Sequence, residues 1–153
     1  MNQKNLSFFQ TFNAMRIFLS LCYEKTHGDN VGMLLGGLRL FKDNKDWQKN
    51  PITWDSAAWE DWMDGINKTM QDLKITQNPK LIIYNDEMIF LCIKNYLQLF
   101  YDQFHFADIG IVLEDLKNTK HIPSDPTWQR LRQAIDHSIN ETYSLDTPLT
   151  PIV

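Results

Sequence analysis

Apolar positions along the first 26 residues recur at intervals of three and four: Phe8, Phe12, Met15, Phe18, Leu19 and Cys22. That period predicts a helix from just after Asn5 or Ser7 to about Thr26. Gly28 follows as the expected C-terminal stop. Asp29 then offers an N-cap for a short helix carrying Val31, Leu34, Leu35 and Leu38. Gly36-Gly37 should end it, because two consecutive glycines cost about 2 kcal/mol against alanine inside a helix. A third helix starts at Asp55. Its apolar stripe is Trp59, Trp62, Met63, Ile66, Met70 and Leu73.

The plan then recurs. Asn85 caps a helix from Asp86 to about Phe104, with Asp86-Glu87 suited to its positive N-terminal end. Phe106-Ala107-Asp108 leads into a helix to about Lys117. Ser124 or Asp125 caps a last helix with Pro126 in its first turn and the stripe Trp128, Leu131, Ile135 and Ile139. Aligning Phe18–Leu38 with Tyr96–Leu116 at an offset of 78 gives seven identities in 21 pairs, among them Tyr23/Tyr101, His27/His105, Gly32/Gly110 and Leu35/Leu113. Downstream the offset falls to 69, matching Trp59 with Trp128, Trp62 with Leu131 and Ile66 with Ile135. The expected fold is all-α: two diverged three-helix repeats, about 6–74 and 85–141, packed about a pseudo-twofold as one compact domain, with an irregular tail from 142 to 153. Lys80–Tyr84 is short, β-branched and bounded by Asn-Pro and Asn-Asp, so it could be a strand. With no obvious partner, it is read as an extended linker packing Leu81 and Ile83 against the helices.

Composition adds exclusions. Lys and Arg number 15 against 19 Asp and Glu, a net charge of −4, and 43% of residues are hydrophobic. That balance suits a globular core and lacks the basic face of a nucleic-acid binder. No run reaches the roughly 20 apolar residues of a membrane span. Neither a signal peptide's apolar region nor its cleavage site is present, so a cytoplasmic protein is expected. The two cysteines, Cys22 and Cys92, fall inside helices and read as buried free thiols.

Candidate chemistry is sparse. No histidine pair or cysteine pair has metal-ligand spacing, and no glycine-rich phosphate loop or nucleophile elbow occurs. Catalytic residues, metal and cofactor are therefore all expected to be absent. His27 and His105 share one place in the two repeats, where a histidine can satisfy free carbonyls at a helix end. Asp55, Glu60, Asp61 and Asp64 form an acidic run with no cation among them, while Gln129, Arg130 and Gln133 stand in the matching places of the second repeat. The first half also carries nine extra residues in Arg39–Trp54, including Trp47, and aromatic loops of this kind supply interface anchors.

The segments F-N-A-M-R-x-F-L-x-x-x-Y-E-K-T (Phe12–Thr26), D-N-V-G-M-L-L-G-G-L (Asp29–Leu38) and D-S-A-A-W-E-D-W (Asp55–Trp62) resemble small helical bacterial immunity proteins of contact-dependent growth inhibition systems. In relatives the third motif is closer to D-P-A-x-W-x-D-W. Ser56 replaces that proline here, whereas Asp125-Pro126-Thr127-Trp128 retains it. The resemblance covers about the first 65 residues well. It implies a non-enzymatic protein that binds and neutralises a cognate toxin domain of a large effector, a nuclease being one such toxin. Its motifs are capping and core residues, so no binding residue carries over. Subtracting the features both repeats share leaves Trp47, Glu60, Asp61 and Asp64 as the expected toxin-binding residues. The alternative is an enzymatic or small-ligand-binding protein with a pocket between the repeats near His27 and His105, beside Tyr23 and Tyr101. Oligomeric state is left open by the sequence.

Overall fold

A computed structural model describes residues 4–38, 53 and 55–140. Six α-helices follow in chain order: α1 (Phe8–Thr26), α2 (Asp29–Gly37), α3 (Ser56–Asp72), α4 (Asp86–Phe104), α5 (Ala107–Asn118) and α6 (Pro126–Asn140). Two short strands, β1 (Asn5–Leu6) and β2 (Tyr84–Asn85), pair antiparallel with Leu6 opposite Tyr84. The protein is thus mostly helical, and none of the described helices is long and apolar enough to cross a membrane.

The helix starts follow local chemistry. Ser7 and Gln10 form a reciprocal capping box on α1: the Ser7 hydroxyl accepts from the Gln10 N–H at 3.2 Å, and the Gln10 side chain accepts from the Ser7 N–H at 2.9 Å. Asn85 accepts from the Met88 N–H to open α4. Asp125, rather than Ser124, caps α6 through the N–H groups of Thr127 and Trp128. Its carboxyl also accepts from the Thr119 hydroxyl at 2.7 Å. These bonds, led by that of Thr119, hold it below the usual carboxylate range.

The stop after α1 is not Gly28. His27 takes the left-handed conformation (φ 51°), and its N–H donates to Tyr23 O, while Gly28 is extended at φ −68°. His105 closes α4 in the same way at φ 55°, bonded to Tyr101 O. Gly28 is small for a different reason: a Cβ there would meet the Asp108 carboxylate at 2.5 Å. That carboxylate caps α2 from across the molecule, accepting from the Val31 N–H at 2.9 Å and from the Asn30 side chain at 3.1 Å.

Packing is crossed between the halves. α3 lies mainly on α4, α6 lies mainly on α1, and α2 meets α5. α1 is the most enclosed helix: every residue from Thr11 to Ser20 is buried, including Asn13 and Arg16, so its burial is all-round rather than one-sided. Among the described residues Trp62 is the largest fully buried side chain, and it meets Tyr96 edge-on at 5.6 Å. The α3–α4 crossing is close because Gly65 faces Tyr96; a Cβ at Gly65 would sit 2.8 Å from Tyr96 Cα.

Several expectations need correction. Lys80–Tyr84 does not pack Leu81 and Ile83 inward: both are exposed, at 81% and 66%. Pro79–Leu81 forms a 3-10 turn, and Tyr84 is the buried residue, its hydroxyl donating to Pro79 O at 2.7 Å. The missing strand partner is β1, too short and too polar to register as a strand in the sequence. At the ends of the predicted stripes, Leu73 and Ile139 are exposed: Leu73 is the C-cap that follows α3, and in α6 Ser138 takes the buried place, its hydroxyl donating to Gln10 O. Trp59 is half-buried, covering Phe8 and Phe12 edge-on, while Trp128 is buried.

Candidate functional site

The start of α3 is anchored twice. Asp55 accepts from the Ala57 N–H at 3.0 Å, and its own N–H donates to Gly37 O at the end of α2. The acids therefore occupy a fixed stretch of the first turns: Asp61 is half-buried, and Glu60 and Asp64 are exposed. Asp61 and Asp64 line a cleft of about 410 Å³ between α3 and α4. Lys68 continues that wall; Leu99, Phe100 and Gln103 form the opposite one. Glu60 does not line it, so the cleft joins Asp61 with Asp64 and leaves Glu60 on open surface.

Among the described residues the carboxylates of this cleft have no ion-pair partner. Its lysine, Lys68, is bonded at 2.7 Å to Asp72, which also accepts from the Asn95 side chain. The Lys68 bond in particular holds the Asp72 carboxyl below its ordinary range. Among the described residues no cation pairs with Asp55, Glu60, Asp61 or Asp64. Burial first, then the charges of Asp64, Asp55 and Glu60, push the Asp61 carboxyl above the usual carboxylate value. Behind it, the Trp62 indole N–H and the Tyr96 hydroxyl are buried without a hydrogen-bond partner. Burial, followed by the charges of Asp61 and Asp55, drives the Tyr96 phenol upward, so its hydroxyl lies within the field of this cluster.

Arg130 of α6 stands 69 positions after Asp61 in the chain, and its charge acts on the Cys22 thiol of α1. Burial pushes that thiol up to about 11, partly opposed by Arg130, and pushes Cys92 up to about 12. Both cysteines are free and buried, so neither presents a thiolate at neutral pH.

His27 and His105 are exposed, each meeting its own tyrosine edge-on: Tyr23 at 5.8 Å and Tyr101 at 5.5 Å. Those tyrosines lie over Gly32 and Gly110, where a Cβ would come within 2.8 Å of the ring. The histidines serve as helix-end residues, and the α3–α4 cleft is lined by neither. Among the described residues no group of three His, Cys, Asp or Glu could hold a metal ion. The expected contribution of Trp47 and of the loop 41–54 lies, apart from Thr53, outside the described residues.

Comparison with protein-family models, with curated proteins and with solved structures gave no match. The functional reading therefore rests on geometry and on the sequence motifs.

Two features escaped the sequence reading. One is the apolar wall of the cleft, Leu99 and Phe100, continued by Phe104, whose ring stacks on Phe106 at 5.5 Å and is 44% exposed. Its signal was present: α4 carries more apolar residues than one helix face can bury. The other is His121, stacked on the Trp128 indole at 4.5 Å, beside Phe90, with Nδ1 2.8 Å from Glu87. That contact joins residues 34 apart, which no local pattern reveals.

Proposed function

We propose that this chain is an immunity protein: a bacterial, cytoplasmic inhibitor that binds one cognate toxin domain and neutralises it by occupancy, without catalysis. The observation that carries the reading is the pair Asp61 and Asp64 in the α3–α4 cleft, neither of them ion-paired to another described residue. Burial and the neighbouring acids raise the Asp61 carboxyl, which costs stability at neutral pH, and a partner's cation would offset that cost. A basic toxin domain, such as a nuclease, is that partner. Opposite charge would also speed the encounter, which suits an inhibitor that must act before its target does. The motifs shared with immunity proteins of contact-dependent growth inhibition systems support the same conclusion.

We also read the fold as a duplication. α1 and α4 have equal length and start 78 positions apart, as do the starts of α2 and α5. Asn30 and Asp108, 78 apart, touch each other, and so do Leu6 and Tyr84 in the strand pair. Contacts between positions 78 apart support a pseudo-twofold axis running between the halves. On this reading Asp61 and Arg130 are equivalent, and the halves have parted in charge where binding is proposed.

The test is protection of cells that express the toxin domain encoded beside this chain. Wild-type protein should restore growth and co-purify with the toxin, and Asp61→Lys with Asp64→Lys should lose protection while retaining a native circular-dichroism spectrum. Full protection by the folded double variant would contradict the reading of the site. Absence of any complex with wild-type protein would contradict the function.

A further inference from the structure

We infer that the α3–α4 cleft receives a basic amphipathic segment of the partner, with Lys or Arg side chains against Asp61 and Asp64 and an apolar side chain against Leu99 and Phe100. The inference rests on the proposed immunity function and specifies what enters its site. The cleft has two unlike walls: carboxylates on α3, and apolar surface on α4 that runs on to the exposed ring of Phe104. A purely cationic ligand would leave the second wall wet, and a purely apolar one would desolvate Asp61 without a counter-charge. Lys68, the cation among the described residues that lines the cleft, is bonded to Asp72 rather than to Asp61 or Asp64. At the α3–α4 crossing the buried hydroxyl of Tyr96 has no hydrogen-bond partner among the described residues and lies in the field of Asp61 and Asp55.

Aromatic and aliphatic side chains beside such charges provide the anchoring part of an interface, while the ionic part sets orientation and encounter rate.

The probe is a short synthetic helix with lysines along one edge and leucines along the other, fluorescently labelled and titrated into the full chain by anisotropy. It should bind, weaken as salt is added, and lose about tenfold or more in affinity with Asp61→Lys and, separately, with Leu99→Lys. Leu99 is 39% exposed, so that variant keeps its core, and Gln103→Lys on the same wall gives a second, fully surface test. Three results would each overturn the inference: equal binding of a glutamate-for-lysine version of the probe; equal binding of spermine, which would leave no role for the apolar wall; or unchanged affinity in Leu99→Lys and Gln103→Lys. The probe needs no toxin, so the two proposals separate. Loss of probe binding with cell protection retained rejects the occupant and keeps the immunity function; probe binding without protection does the reverse.

Discussion

Gly65 and Gly36 look alike in the sequence, yet opposite outcomes are expected when each becomes alanine. At Gly65 the new methyl would meet the Tyr96 backbone at 2.8 Å, and backbone does not yield as a flexible side chain can. Gly65→Ala should destabilise by about 1–3 kcal/mol, the usual range for overpacking. No described residue lies within 4 Å of a Cβ at Gly36, which is inside α2. Gly36→Ala should therefore stabilise by about 0.5–1 kcal/mol through helix propensity. Urea melts of the two variants measure both signs. Asp61 gives a third prediction at this scale. Its folded-state pKa is raised by burial and by neighbouring acids. A group raised in this way favours the fold while it is protonated, and that advantage is lost as pH rises through the folded pKa. Asp61→Asn should therefore raise Tm at neutral pH, and the gain should vanish well below the ordinary carboxylate range. A gain that persists unchanged in acid would exclude the electrostatic cause. None of the three is a sequence-level property: glycine and aspartate types are visible in the chain, but the neighbour that decides each case comes from another helix.

Helices α1 to α6 were legible because their apolar spacing and caps are local. Ser7, Asp55, Asn85 and Asp125 lie beside the turns they satisfy. The ends were less legible. His27 stops α1 by adopting a left-handed conformation that glycine more often takes, so Gly28 was the natural but wrong expectation. β1 and β2 were hidden because two residues per strand leave no alternation to read. The acidic run on α3 was visible; its partner wall on α4 was not, since the sequence does not say that α3 crosses to α4. Trp62 and Trp59 illustrate the same limit. Both lie on the predicted stripe, but the crossing buries Trp62 completely and leaves Trp59 as a half-exposed cover. Trp62→Ala should cost about 3–5 kcal/mol, as for other large core aromatics. Trp59→Ala should cost clearly less. Equal losses by chemical denaturation would mean that α3 is rotated about its axis from this arrangement.

At the scale of the molecule, crossed packing ties the halves together: α3 needs α4, α6 needs α1, and Asp108 caps α2 from α5. The buried ion pair between Asp86 and Arg132 fastens the start of α4 to α6. The most direct measurement of the central claim is a titration of toxin activity. Increasing amounts of this protein are added to a fixed, known amount of purified cognate toxin domain, well above the dissociation constant. Activity should fall linearly and reach zero at one equivalent, as occupancy without turnover requires. Undiminished activity at every ratio, or complete loss at a small fraction of an equivalent, would contradict the account.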